Sequence, residues 1–156
     1  MIPRLVVSSG EPAGIGPDIL LAAAAQPQSA QLVGLGDKAL LTARAQQLGL
    51  DVSMVSYSSA GPIVSHQPGE LPFIDVPLAV ASHPGTLDPR NASQVLAQLD
   101  LAIELCLNQE CQGMVTAPVH KSVINEAGIP FSGHTEYLAS ALQISNAVML
   151  LVSDDL

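Results

Sequence analysis

The sequence predicts an α/β fold with an open, mostly parallel sheet and helices on both of its faces. Strand-like apolar runs alternate with helix-like segments along the first part of the chain, a pattern typical of parallel sheets built from crossover units. Of the 156 residues, 48% are hydrophobic but only 3% are aromatic. Such a chain is long enough for one ordinary domain. Its core must be built from Leu, Val, Ile and Ala, which suits helices that pack closely on a sheet.

The first half of the chain supplies three predicted strands and two predicted helices. Residues 5–7 form a continuous apolar run typical of a buried parallel strand, and a loop rich in glycine and proline follows over 8–18. Pro17 suits the first turn of a helix that extends to residue 25. The next elements are predicted as a strand over 30–35, a helix over 38–48 with Asp37 as N-cap and Gly49 as stop, and a strand over 52–57.

Residues 58–89 lack a clear period, because proline and glycine recur among short apolar pieces. We interpret this segment as an excursion from the sheet that retains an antiparallel edge strand over 71–76, and not as a linker between domains. His66 and His83 each stand beside a turn signal and have no partner four residues away. Surface or turn roles are therefore favoured for both over metal ligation.

The second half begins with a long amphipathic helix, predicted over 91–109, whose apolar residues recur every three or four positions. The sequon at Asn91 is accordingly interpreted as a helix start. The following elements are predicted as a buried strand over 114–116, a short helix over 122–127 that Gly128 ends, a helix opened by His134, and an apolar strand over 147–152. A parallel strand in that last position needs a covering crossover, so residues 1–156 are expected to be the front portion of a longer protein.

Charge and cysteine content argue against several classes of function. Five basic residues stand against fourteen acidic ones, a net charge of −9, which disfavours a nucleic-acid or anionic-membrane partner. Cys106 and Cys111 have neither a CxxC spacing nor a third ligand, so two reduced structural cysteines in a cytosolic chain are expected. No signal peptide is predicted, and no window reaches the roughly 18 uninterrupted apolar residues that a membrane span needs.

The glycine-rich loop over 8–18 is the first candidate for function. A strand, a glycine loop and a helix in succession often bind phosphate. Here the spacing matches neither GxGxxG nor GxxxxGK(S/T), and Glu11 with Asp18 would repel an anion. Two interpretations remain open. The loop is either a tight turn that packs the helix on the strand, or a functional loop that faces a cation, a sugar hydroxyl or a cofactor.

The second candidate is a pair of loops in the second half of the chain. His120 and Lys121 come just past a strand end, while His134 and Thr135 open a helix. A helix N-terminus disfavours imidazolium, so His134 is predicted to be neutral near pH 7 and to act by hydrogen bonding. Each residue also has a structural alternative: Lys121 starts a helix, His120 bonds a backbone carbonyl, and Thr135 with the acidic residue after it caps a helix.

Three segments, taken together and in this order, resemble the 4-hydroxythreonine-4-phosphate dehydrogenase family of pyridoxal phosphate biosynthesis. They are GEPAGIGP at 10–17, TAPVHK at 116–121 and FSGHTE at 131–136. The resemblance covers the whole chain but only about the first half of such an enzyme. It implies a fold like that of the isocitrate and isopropylmalate dehydrogenases, truncated before its second half. It also implies a cytoplasmic, two-domain enzyme that forms a homodimer.

The resemblance further implies a reaction. Members use NAD or NADP and a divalent metal (Zn, Mg or Co) to oxidise 4-phosphohydroxy-L-threonine, a small phosphorylated hydroxy amino acid. Decarboxylation then gives 3-amino-2-oxopropyl phosphate. Sister enzymes that oxidise other hydroxy acids share the three segments, so a relative with a different substrate is one alternative. A non-catalytic module that binds a small ligand is the other.

By position, the resemblance assigns substrate binding to His134 and Thr135. Four further residues are candidates for lining the cleft: Glu11, Gly14, His120 and Lys121. The metal ligands are three histidines expected beyond residue 156, so His134 is not one of them and this chain alone should be inactive. The turn at Gly14 and the pair at His134 are expected to open onto one hollow at the carboxyl edge of the strands.

Overall fold

The computed structural model describes residues 1–153 and confirms the predicted α/β class. The strands are β1 (Arg4–Ser8), β2 (Gln31–Gly36), β3 (Ser53–Ser56), β4 (Glu70–Asp75) and β5 (Gly113–Thr116). The helices are α1 (Gly16–Ala24), α2 (Lys38–Leu48), α3 (Ala92–Leu107), α4 (Lys121–Glu126) and α5 (His134–Ala141), with a 3-10 turn at Pro89–Asn91. In this part of the chain the strands form one sheet in the order β3-β4-β2-β1-β5, and every neighbouring pair is parallel.

Helices cover both faces of the sheet, as predicted. Leu32 on β2 faces α1 and α2, where it shares a core with Leu20 and Leu41. Val33, the next residue, faces the opposite side and shares a core with Ala102 of α3. Because successive side chains of β2 are buried on opposite faces, the strand is an unbroken apolar run. A third cluster joins α3 to α4 through Ile124, which places α4 on the face that α3 covers.

Two helix starts predicted from the sequence are confirmed. The Asp37 carboxylate accepts the backbone N–H of Leu40 at 2.7 Å, and α2 ends at Gly49 in the left-handed conformation with φ of 66°. α3 begins directly after Asn91. The buried Asn91 amide does not cap this helix, since it bonds both the N–H and the carbonyl of Val80. That side chain therefore fixes the loop before α3.

The predicted antiparallel edge strand over 71–76 is wrong. β4 is parallel to its neighbours and lies inside the sheet, between β3 and β2. A proline in a strand suggests an edge position because it cannot donate to the ladder. Pro72 escapes this restriction, since β4 pairs with β2 only from Phe73 onward. Strand order depends on contacts between distant segments, which local proline content does not report.

His66 does not take the predicted surface role, whereas His83 does lie in a turn. His66 is 4% exposed, its backbone N–H donates to the carbonyl of Ala30 at 2.9 Å, and its Nε2 lies 2.8 Å from the carbonyl oxygen of Ala24. It thus fastens the crossover between β3 and β4 to the end of α1. His83 accepts the backbone N–H of Thr86 at 3.0 Å in a tight turn.

Two further strand predictions differ from the structure. Residues 147–152 do not form a strand, and the side chains of 148–152 are 73% to 91% exposed. Strand-forming side chains need a neighbouring strand to pair with, and none of the described residues offers one to this segment. β5, predicted to be buried, is an edge strand with Val115 46% exposed.

The two cysteines lie where α3 packs on the sheet. Cys106 and Cys111 are both free thiols. Burial, followed by the neighbouring Cys106, raises the pKa of the Cys111 thiol to about 11, so this thiol stays protonated near neutral pH and is unreactive. Separately, no helix within residues 1–153 combines the length and apolar character needed to cross a membrane.

Candidate functional site

The candidate site lies where β1 and β5 end side by side. The loop after β1 leads into α1 on one face of the sheet, whereas the loop after β5 leads into α4 on the opposite face. When adjacent parallel strands send the chain to opposite faces, a crevice forms at their carboxyl ends, and open α/β proteins bind ligands there. The candidate residues predicted from the sequence lie on these two loops or at the start of α5.

The glycines of the first loop are required by close contacts with the second. Glu11 donates its backbone N–H to the carbonyl of Pro118 at 3.0 Å. A Cβ on Gly10 would lie 2.4 Å from that same carbonyl oxygen, and Gly10 has φ of 68°. A Cβ on Gly16 would lie 2.0 Å from the carbonyl oxygen of Ser9. The loop is therefore a tight turn that packs helix on strand, and Glu11 within it contacts the loop after β5. That Gly14 and His134 open onto one hollow stays a prediction.

Gln98 of α3 stabilises this glycine turn through hydrogen bonds. This residue was not identified from the sequence. Its side chain is fully buried, and its carbonyl oxygen accepts the backbone N–H groups of Ser9 at 2.8 Å and Gly10 at 3.3 Å. Its amide group donates to Gln94 at 3.0 Å. The available signal was two glutamines four residues apart, next to the apolar stripe at Val95 of an amphipathic helix.

Replacing Gln98 by leucine is expected to lower the free energy of unfolding by about 2 kcal/mol, because buried backbone donors of the turn lose an acceptor. Urea denaturation measures the change. Gln47→Leu, on the exposed side of α2, is the matched control and should change stability by less than about 0.5 kcal/mol. Equal effects of the two substitutions would contradict the role assigned to Gln98.

Asp18 does not present the free negative charge that the sequence suggested. Its carboxylate forms a bidentate ion pair with Arg44 of α2, with oxygen to nitrogen distances of 2.6 and 2.7 Å. Arg44 also donates to the carbonyl of Gly14 at 3.4 Å. The pair joins α1 to α2 and holds the end of the glycine turn. The role of this ion pair is structural. The sequence does not indicate this role, because it does not show that Asp18 and Arg44 are partners.

Glu11 is a buried carboxyl at the edge of the crevice. It is 6% exposed, and its side chain accepts the backbone N–H of Ala13 at 3.1 Å. Burial raises the pKa of Glu11, while the Ala13 N–H and the nearby His120 act against this rise. His120 is the N-cap residue of α4, and its Nδ1 lies 3.0 Å from the Ser122 hydroxyl. His120 is thus close enough to Glu11 to influence the pKa of this acid.

His134 is the first residue of α5 and stands next to Lys121. Its Nε2 is buried and has no hydrogen-bond partner among residues 1–153. The ring meets Phe131 edge-on, with centroids 6.1 Å apart. Burial, followed by the Lys121 ammonium, lowers the pKa of His134. The direction agrees with the predicted neutral imidazole, whereas contact of His134 and the half-buried Thr135 with a substrate stays a prediction.

His134 is therefore expected to titrate below the usual value of about 6.5 in the folded chain. Because the unfolded chain then binds more protons between the two pKa values, the His134 contribution to stability is present above pH 6.5 and is lost as the pH falls through the folded pKa. NMR titration of the ring, assigned with His134→Gln, measures this value. The same titration in urea is the control and should return the ordinary pKa. A folded value above 6.5 would contradict the assignment.

The described residues do not themselves form a metal centre. No group of three or more His, Cys, Asp or Glu side chains that could hold a metal ion occurs within residues 1–153. His120 and His134 are placed near a carboxyl and an ammonium group, respectively. The chemistry they can supply is hydrogen bonding and proton transfer to a bound small molecule.

Fold and strand order together define an open α/β protein whose candidate residues follow the carboxyl ends of parallel strands. Residues 28–156 match the model of the family described as "Pyridoxal phosphate biosynthetic protein PdxA". The chain belongs to this family.

Named relatives agree with this assignment. The chain is 46% identical over 153 residues to 4-hydroxythreonine-4-phosphate dehydrogenase of Vibrio cholerae and 48% identical over 149 residues to that of Chromobacterium violaceum. These matches cover 98% and 96% of the chain but only 46% and 44% of the relatives. The crystal structure of a 4-hydroxythreonine-4-phosphate dehydrogenase from Burkholderia phymatum shares the fold, with a TM-score of 0.86 at 23% identity, over 100% of this chain and 48% of that one. The chain thus spans about half the length of the relatives it matches.

Proposed function

We propose that this chain is the N-terminal α/β portion of a two-domain, homodimeric dehydrogenase. The complete enzyme oxidises 4-phosphohydroxy-L-threonine with NAD or NADP and a divalent metal. Decarboxylation then yields 3-amino-2-oxopropyl phosphate for pyridoxal 5'-phosphate synthesis. The observation that carries the proposal is the identity of nearly half the residues to named dehydrogenases along almost the whole chain.

The placement of the motifs supports the same proposal. The segments 10–17 and 116–121 follow the ends of adjacent strands, and 131–136 leads into α5. Bound NAD or NADP would accept a hydride from the alcohol carbon, leaving a ketone and a released proton. His134 and Thr135 would hydrogen-bond the reacting oxygen, for which a neutral imidazole is suited. The β-keto acid then loses carbon dioxide, and the electron pair of the broken bond is protonated at carbon.

The cofactors themselves are not assigned to residues of this chain. Residues 1–153 supply no set of three metal ligands, and the glycine turn carries no dinucleotide fingerprint. From the resemblance to the family, we infer that the metal ligands lie beyond residue 156. What this chain contributes is one wall of the cleft, namely His134 and Thr135, with Glu11, Gly14, His120 and Lys121 beside them.

The experiment is a turnover assay of the intact protein, encoded by the reading frame that contains this chain. Reduction of NAD or NADP is expected with 4-phosphohydroxy-L-threonine and not after treatment with a chelator. His134→Gln should lower kcat/KM about 100-fold, and the 156-residue chain should be inactive. Turnover of a different hydroxy acid in place of this one would support a sister dehydrogenase. A reading frame that stops at residue 156 would support a module that only binds a ligand.

A further inference from the structure

Lys121 is a cation without an anionic partner among the residues that the structure describes. Arg44 and Arg90 each form an ion pair at 2.6 Å, with Asp18 and Asp88 respectively. Within residues 1–153, the Lys121 ammonium has neither an ion pair nor a hydrogen bond. Lys121 is exposed, so its ammonium is accessible to a ligand, although the chain carries fourteen acidic residues against five basic ones.

The Lys121 ammonium is directed toward the start of α5. Its Nζ lies 3.4 Å from the position that a Cβ on Gly133 would occupy. His134 follows Gly133 and is close enough for the ammonium to lower its pKa. The acidic group on this side is Glu136, whose Oε2 lies 3.0 Å from the same Cβ position but does not form an ion pair with Lys121. The absence of a side chain at Gly133 therefore lets the ends of Lys121 and Glu136 approach the start of α5.

Two nitrogen groups at the start of α5 have no hydrogen-bond partner among the described residues. One is the Lys121 ammonium, and the other is the buried His134 Nε2, which no described residue contacts by a hydrogen bond. A buried polar atom without a partner is costly, and an ammonium next to an imidazole disfavours its protonation. Both costs fall when an anion binds between these groups, since it accepts hydrogen bonds and neutralises the ammonium.

We propose that Lys121 binds an anionic oxygen group of the substrate, a carboxylate or a phosphate, together with His134. This makes Lys121 a specificity-determining residue rather than merely the first residue of α4. The identity of the substrate rests on the proposed function, whereas the anion site itself rests on the positions of Lys121, Gly133 and His134. A bound anion brings the substrate oxygens next to the imidazole that the reaction uses.

The test is an NMR titration of the 156-residue chain that follows the His134 ring. The probes are inorganic phosphate, L-threonine, and L-threoninol, which lacks only the carboxylate. Phosphate or L-threonine is expected to shift the His134 signals and to raise the pKa of His134, while L-threoninol should do neither. The probe that acts identifies the group as a phosphate or a carboxylate.

Two lysine variants and one control complete the test. Lys121→Gln should raise the apparent Kd of the active probe about tenfold or more, since a charge-assisted hydrogen bond is lost, and Lys121→Arg should restore most of the affinity. Lys38→Gln, which changes the chain's other lysine at an exposed site on α2, should leave the Kd unchanged. If the His134 signals of Lys121→Gln respond to the active probe as those of the unmodified chain do, the proposal is overturned. It is also overturned if neither phosphate nor L-threonine changes these signals in the unmodified chain.

The anion-binding experiment and the turnover assay of the intact protein test different claims, so one can fail while the other succeeds. If the intact protein oxidises 4-phosphohydroxy-L-threonine and Lys121→Gln leaves its KM unchanged, the function stands and the role of Lys121 is refuted. If the anion binds at Lys121 but no hydroxy acid is oxidised, the anion site stands and the dehydrogenase assignment is refuted. An increase in KM with a smaller change in kcat is the result expected for a binding residue.

Discussion

Replacing Gly16 by alanine is expected to destabilise the chain by about 3 kcal/mol or more, enough to unfold a domain of ordinary stability. The added Cβ would lie 2.0 Å from the backbone oxygen of Ser9 and 2.9 Å from the Cβ of Ala117. Backbone atoms cannot move aside as a flexible side chain can, so α1 would have to leave the end of β1. Circular dichroism during urea denaturation measures the loss.

The matched control for this substitution is Gly113→Ala, at the first residue of β5. A Cβ there would meet only the side chain of Leu5 at 3.5 Å, an ordinary contact distance. Alanine at this position should leave stability unchanged or raise it by about 0.5 kcal/mol, because glycine in a strand costs conformational entropy. Similar losses for both variants would show that the glycine turn tolerates a side chain and that its tight packing has been overestimated.

The second large effect is expected from Arg4→Met. The guanidinium of Arg4 is 3% exposed and donates to the Gln31 side chain at 2.6 Å, to the Tyr57 hydroxyl at 3.0 Å, and to the carbonyls of Gly61 and Glu110 at 3.3 Å. Methionine fills a similar volume but leaves these acceptors without a donor. A loss of about 3 kcal/mol is expected, measured by thermal and urea unfolding.

Arg90→Met tests whether the effect comes from burial and not from the loss of any arginine. The Arg90 side chain is 71% exposed and pairs with Asp88 on the surface. Exposed ion pairs contribute little to stability, so the unfolding midpoint should not move measurably. If Arg4→Met also left the unfolding midpoint unchanged, water would have to replace the hydrogen bonds of Arg4. The role assigned to Arg4 would then be wrong.

Much of the fold could be predicted because its signals are local. Asp37 and Gly49 delimit α2 by capping chemistry that depends only on nearby backbone atoms. The interior position of β4 could not be predicted in the same way, because strand order is decided by pairing between distant residues. The segment 147–152 shows the converse: its side chains favour a strand, but the described chain provides no strand to pair with it.

The same difference between local signals and long-range contacts applies to the candidate site. Its residues could be located from the sequence, because proline and glycine interrupt the elements just where His120 and His134 stand. Their partners could not be located. Gln98 reaches the turn at Ser9 from almost ninety positions later in the chain, and Lys121 meets His134 only after α4 has folded back. Contacts of this kind form only in the packed structure, and no residue spacing in the sequence predicts them.

The position of β1 inside the sheet, between β2 and β5, has a consequence for how the molecule assembles during translation. β1 leaves the ribosome first, yet Leu5 must pair with Leu32 on one side and with Gly113 on the other. The second partner emerges only after about a hundred further residues, and closing so long a loop is slow. The nascent chain therefore exposes one unpaired edge of β1 until β5 has been made, and chaperones can act on it during this interval.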